Sequence, residues 1–93
     1  MKVKVEFCCG LALRLSREKA ALIEVSDDAT LRDVSKALAE RFPAFLGPLI
    51  VPETYDLVKP HFFNVNGQRV AQSLDIKVKD NERLLLMSPV AGG

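Results

Sequence analysis

The sequence holds few of the side chains that metal, redox and hydrolytic sites are built from. It has one histidine, His61, and two cysteines, Cys8 and Cys9, which are neighbours. Adjacent thiols are poorly placed to bridge one another, so no disulfide framework is implied. A structural zinc site takes four ligands, and an iron–sulfur centre typically takes four cysteines. Neither set is present, so no metal site is expected and the cysteines read as packing residues. His61 follows Pro60 with no serine, cysteine or aspartate constellation that would make it catalytic.

An excess of charge of one sign is also missing. Thirteen basic residues face twelve acidic ones for a net charge of +1, which gives no footprint for nucleic acid and no acidic tail. No apolar run approaches the length of a membrane span. The opening Met1-Lys2-Val3-Lys4-Val5-Glu6 alternates charged and apolar residues, where a signal peptide needs an unbroken apolar stretch. A cytoplasmic protein without membrane or nucleic-acid partners is therefore expected.

What the chain does have is enough apolar residues, 48% of 93, for one core and no second domain. Val3, Val5 and Phe7 share one face of a first strand, with Lys2, Lys4, Glu6 and Cys8 on the other. Gly10 to Arg17 reads as a turn, and a second strand over Lys19–Val25 completes an antiparallel hairpin. Thr30 with Asp33 forms a variant capping box that opens a helix from about Leu31 to Arg41, and Pro43 ends it. Leu31, Val34, Leu38 and Phe42 make its apolar stripe. Arg32, Lys36 and Glu40 make a solvated face.

Residues 43–60 hold four of the five prolines and read as a long, partly ordered connection. His61–Val65 reads as a strand, Asn66-Gly67 as a two-residue hairpin turn and Gln68–Val70 as a short return strand. Lys79–Glu82 forms a turn in which Asn81 suits the left-handed region. Arg83–Met87 is the last strand. This order predicts an α+β fold, a β-grasp (ubiquitin-like) arrangement. Its mixed sheet of four to five strands carries one long helix on one face, with the first and last strands central and parallel. The domain would span 1–87, leaving 88–93 as a flexible C-terminal tail ending in Gly-Gly.

With that order, the ending Leu84-Leu85-Leu86-Met87-Ser88-Pro89-Val90-Ala91-Gly92-Gly93 resembles the MoaD/ThiS superfamily of ubiquitin-like sulfur carriers. The Pro-Val-Ala-Gly-Gly terminus is similar to the molybdopterin-synthase small subunits. The first strand pair, the Ala29-Thr30-Leu31 helix entry and Val65-Asn66-Gly67 carry the likeness along most of the chain. The 43–60 stretch departs from compact members and looks more like the longer carriers, including those of cysteine biosynthesis.

The resemblance implies that a ubiquitin-activating-type adenylyltransferase spends ATP to adenylate the carboxylate of Gly93. The group then becomes a thiocarboxylate that donates sulfur. No cofactor would be permanently bound, and the chain would supply no catalytic group beyond its own terminus. A molybdopterin-synthase large subunit is the implied second partner. Carriers for cysteine, thiamine or thiolated tRNA share the mechanism. A protein modifier joined through Gly93 and a passive interaction module are rivals of other classes.

The residues suit such a terminus. A carboxylate is a poor electrophile, and adenylation gives it a good leaving group. Gly92 and Gly93 lack the Cβ that would block a narrow channel, and Pro89 stiffens the start of the arm. Six residues from Ser88 span roughly 20 Å when extended. Domain ends also fray without any function, which is the plain alternative. On the last strand, Leu84 and Leu86 would face the helix. Leu85 and Met87 would face outward beside Cys8, and with Pro89, Val90 and Ala91 they are the expected partner-binding residues.

Overall fold

The structure is a computed structural model and describes residues 1–89. Its elements are β1 (Lys2–Phe7), α1 (Gly10–Ser16), β2 (Ala20–Glu24), α2 (Leu31–Arg41), a 3-10 turn (Pro43–Phe45), β3 (Phe62–Val65), β4 (Arg69–Val70) and β5 (Arg83–Met87). They form a five-stranded sheet in the order β2-β1-β5-β3-β4. β1 and β5 lie side by side and parallel, and the other three pairings are antiparallel. This is the β-grasp arrangement expected from the strand order.

Alternation along β1 decides which face is buried. Val3, Val5 and Phe7 are at most 4% exposed and point to the inner face, while Lys2 and Lys4 point out. Leu84 and Leu86 of β5, Phe63 and Val65 of β3, and Ala21 and Ile23 of β2 complete the inner face. α2 covers it with Leu31, Val34 and Leu38. The helix begins where the sequence indicates. The Thr30 hydroxyl accepts the Asp33 backbone N–H, and the Asp33 carboxylate accepts the Thr30 N–H at 2.9 Å, so two otherwise orphaned donors are satisfied reciprocally.

Residues 10–16 are a correction. They form a helix rather than a turn, so the sheet carries two helices and not one. Leu11, Ala12 and Leu15 fall on one side of it. Ala12 is fully buried and the two leucines pack against the core. Arg17 then ends the helix in the left-handed region at φ 60°, its N–H reaching the Leu13 carbonyl. A run of leucine, alanine and arginine is rich in helix formers. Its leucines at every second position mask the one-sided stripe.

The 43–60 connection is likewise more ordered than its prolines suggest. Phe45, Leu49 and Ile50 are fully buried in the core, and Ile50 forms isolated bridges with Leu46 and Leu57. Phe45 stacks on Phe42 at 5.1 Å between ring centres, and both meet Phe7 edge-on at 5.6 Å. These rings close the inner layer at the end of β1. Arg32 is no free surface charge. It pairs with Asp56 at 2.7 Å and Asp75 at 3.1 Å and donates to the Thr54 carbonyl. One guanidinium thus holds both long connections against α2.

Two further turns differ in detail. The β3–β4 loop has three residues, since Val65 pairs with Arg69, although Asn66 and Gly67 take the positive φ values (58° and 71°) that their types favour. Asn81 is left-handed at φ 63°, as expected. Beside it the nearly buried Glu82 carboxylate accepts the Lys79 backbone N–H and the Asn66 side-chain amide, joining two turns. On the sheet's free edge, the Arg41 guanidinium donates to the outward Leu22 carbonyl at 3.1 Å. Among the described residues no helix is long and apolar enough to cross a membrane.

Candidate functional site: the end of the central strand pair

β5 is held on both sides up to its last residue. Lys4 N–H donates to the Glu82 carbonyl and Cys8 N–H to that of Leu86, fixing β5 along β1. On the other side Phe62 pairs with Met87. The chain therefore leaves the middle of the sheet at Ser88 and Pro89, with Pro89 exposed. Val90, Ala91, Gly92 and Gly93 lie outside the described residues.

The register gives the outer face of this end. Ala20, Glu6, Leu85, Asn64 and Val70 form one row across all five strands. Met87 and Phe62 form the next row toward the exit, both half-buried, with the exposed Cys8 on the adjoining strand. Leu85 and Met87 thus point outward together, away from α2, and Cys8 adjoins them.

Their exposure is unequal. Leu85 is only 9% exposed, although it stands apart from the inner core. Arg83 and Glu6 form an ion pair on the same face. The β3–β4 hairpin comes close enough that a Cβ on Gly67 would sit 3.7 Å from Leu85 Cδ1 and 3.8 Å from the Arg83 guanidinium. Leu85 is therefore largely roofed by its neighbours. The accessible apolar atoms belong to Met87, Phe62 and Val70, and Phe62 and Val70 were not legible as site residues because their facing depends on register across β3 and β4. Asn64 Oδ1 is buried on this face without a hydrogen-bond partner among the described residues.

Cys8 is free and exposed, and Cys9 is free and buried. Burial chiefly, and then the Glu6 carboxylate, push the Cys8 thiol up, with Arg83 pulling the other way. It stays a protonated thiol at neutral pH, suited to contact rather than to nucleophilic chemistry. Among the described residues no three His, Cys, Asp or Glu side chains gather as a metal site requires.

A parallel central pair of strands, a capped helix across one face and a chain end leaving the middle of the sheet define a ubiquitin-like β-grasp protein. The ThiS family model matches residues 13–93. The chain belongs to the ThiS family, among the ubiquitin-like carriers and modifiers. Small archaeal modifier protein 1 from Haloferax volcanii has the same fold, with a TM-score of 0.83 over the whole of both chains at 22% identity. A Pyrococcus furiosus protein provisionally assigned as molybdopterin converting factor, subunit 1, superposes with a TM-score of 0.74 at 27% identity, covering 97% of this chain and 99% of that one. A chain of the BexX/CysO complex from Amycolatopsis orientalis gives 0.71 at 23% identity, covering 98% and 99%. No curated protein matches the chain in sequence.

Proposed function

We propose that this chain is a sulfur carrier whose working group is the carboxylate of Gly93, and that it serves as the small subunit of a molybdopterin synthase. The observation that carries the reading is that the family match runs through Gly92 and Gly93 at the end of a chain leaving the central strand. The likeness to the Pyrococcus furiosus protein supports the molybdopterin branch.

In this reading an adenylyltransferase of the ubiquitin-activating type transfers AMP from ATP to the Gly93 carboxylate, releasing pyrophosphate. A sulfide equivalent then displaces AMP and leaves a thiocarboxylate. The carrier's share is presentation. Gly92 and Gly93 enter the active site, Pro89 to Ala91 line the approach, and Met87, Phe62 and Cys8 dock beside the exit, with Leu85 supporting them from beneath. The same arm then enters the large subunit, which holds the pterin precursor.

The test is intact-protein mass spectrometry after incubation with the cognate activating enzyme, ATP and a sulfur donor. Replacement of one terminal oxygen by sulfur is the expected result, and Gly93→Ala should suppress it without unfolding the chain. Unchanged mass under these conditions overturns the carrier reading. Gly-Gly remnants on lysines of other proteins would mark a modifier instead. Sulfur transfer without binding to a pterin-synthase large subunit would move the chain to another carrier pathway.

A further inference from the structure

β2 is an edge of the sheet, and the phase of its ladder decides which main-chain groups are left over. Val25 N–H donates to the Met1 carbonyl and Phe7 N–H to that of Lys19. Bonding alternates along an antiparallel pair, so Lys19, Ala21, Ile23 and Val25 turn their main-chain groups to β1. Ala20, Leu22 and Glu24 turn theirs outward, a row onto which another strand can add. Leu22 also carries the most exposed large apolar side chain among the described residues, at 65%. The opposite edge, β4, has only two residues and makes a poor template.

The outward row is interrupted at its centre. Arg41, the last residue of α2, reaches across and donates to the Leu22 carbonyl at 3.1 Å. Its guanidinium also lies 5.3 Å from the centre of the Phe42 ring, a cation–π contact that helps hold it in place. Helix α2 thus projects one side chain onto the middle acceptor of the edge.

The strand that fits this edge is β2 of a second copy, antiparallel about a twofold axis at Leu22. That register sets Leu22 against Leu22, Ala20 against Glu24 and Glu18 against Ser26 of the second copy, so no like charges oppose one another. An axis at Ala21 would set Glu18 against Glu24, and one at Ile23 would set Glu18 against Asp28. The favoured register needs both Leu22 carbonyls, the acceptors that Arg41 occupies. It would also bring two guanidiniums together across the axis. We propose that Arg41 guards the β2 edge and keeps the chain from pairing with a second copy there. The guard does not depend on sulfur chemistry at Gly93, and either idea can fail without the other.

Sedimentation equilibrium and amide hydrogen exchange on the full chain provide the test. In the unmodified chain the Ala20, Leu22 and Glu24 amides should exchange freely, while those of Ala21 and Ile23 are protected. Arg41→Ala removes the guard at an exposed site where alanine suits the helix. It should dimerise about tenfold more tightly, the effect of freeing a hydrogen-bond acceptor from a charged donor in each copy. Protection should then appear at Ala20, Leu22 and Glu24 as concentration rises. Adding Leu22→Lys, which sets two cations face to face at the axis, should restore the monomer. An Arg41→Ala chain that associates no more than the unmodified one overturns the proposal, as does an unmodified chain already protected at these three amides. Association of Arg41→Ala that leaves them unprotected overturns it too, since the contact then lies elsewhere.

Discussion

The two faces of the sheet bury leucines from the same strand by different means. On the inner face Leu84 and Leu86 are sealed by a second layer made of α2, the 3-10 turn and the 43–60 connection. On the outer face, among the described residues, Leu85 is covered by neighbours on the sheet itself, with the Arg83–Glu6 pair on the same face and the β3–β4 hairpin close by. Burial by a second layer makes a closed site, where a lost methyl leaves a cavity. Burial by surface side chains leaves a site that can re-close or admit water. The inner face is therefore committed to folding, and the outer face can give way to a partner.

Substitution along β5 tests this contrast. Leu84→Ala should cost about 2–5 kcal/mol in chemical denaturation. Leu85→Ala should cost about 1–2 kcal/mol, since no enclosed cavity remains. Equal losses would mean that the outer face is as tightly closed as the inner one. Thr30→Ala, which breaks the reciprocal cap of the helix sealing the inner face, should cost about 1 kcal/mol by the same measurement.

The outer face has a complementary test. If the proposed docking to an activating enzyme holds, Met87→Asp should weaken that binding about tenfold, the effect of losing one apolar anchor. Its thermal midpoint should change little, because Met87 is half-buried at the sheet end. Unchanged affinity in calorimetry removes the outer face from the docking surface. Asp would be a poor probe at Leu85, where loss of folding would be mistaken for loss of binding.

A smaller effect is expected with pH. The hydrogen bonds and charge of Arg32 hold the Asp75 carboxyl below its ordinary range. Its folded value lies below its unfolded one, so the contribution is present above about pH 4, the unfolded value. It is lost as pH falls through the folded value. Asp75→Asn should lower the neutral thermal midpoint slightly, leave the value in strong acid unchanged, and so flatten the acid limb. An acid limb identical in both proteins would show that the bridge adds nothing to the bracing of the two connections.

Local chemistry explains which of these features the sequence disclosed. Thr30 and Asp33 stand three residues apart and satisfy each other, so the start of α2 was legible. The alternation of β1 and the left-handed Asn81 were legible for the same reason. The α1 helix was missed because Leu11, Leu13 and Leu15 imitate strand spacing, and only packing separates the half-buried Leu11 and Leu15 from the exposed Leu13. Phe45, Leu49 and Ile50 were hidden among prolines. The partners of Arg32 lie 24 and 43 residues away, and no local rule reaches that far. The outward facing of Leu85 followed from alternation, but its roof did not, because Gly67 and Glu6 meet it only through register.

The parallel pairing of β1 and β5 also has a mechanical side. β1 begins at one end of the sheet and β5 finishes at the other, with their hydrogen bonds running from Lys4–Glu82 to Cys8–Leu86. A pull on the chain beyond Pro89, opposed at Met1, loads this ladder lengthwise. The bonds must then slip together instead of parting one by one, as they would if the strands were peeled apart. A partner that grips the end and tugs meets the stiffest direction of the molecule, so the body can be drawn along as a solid handle.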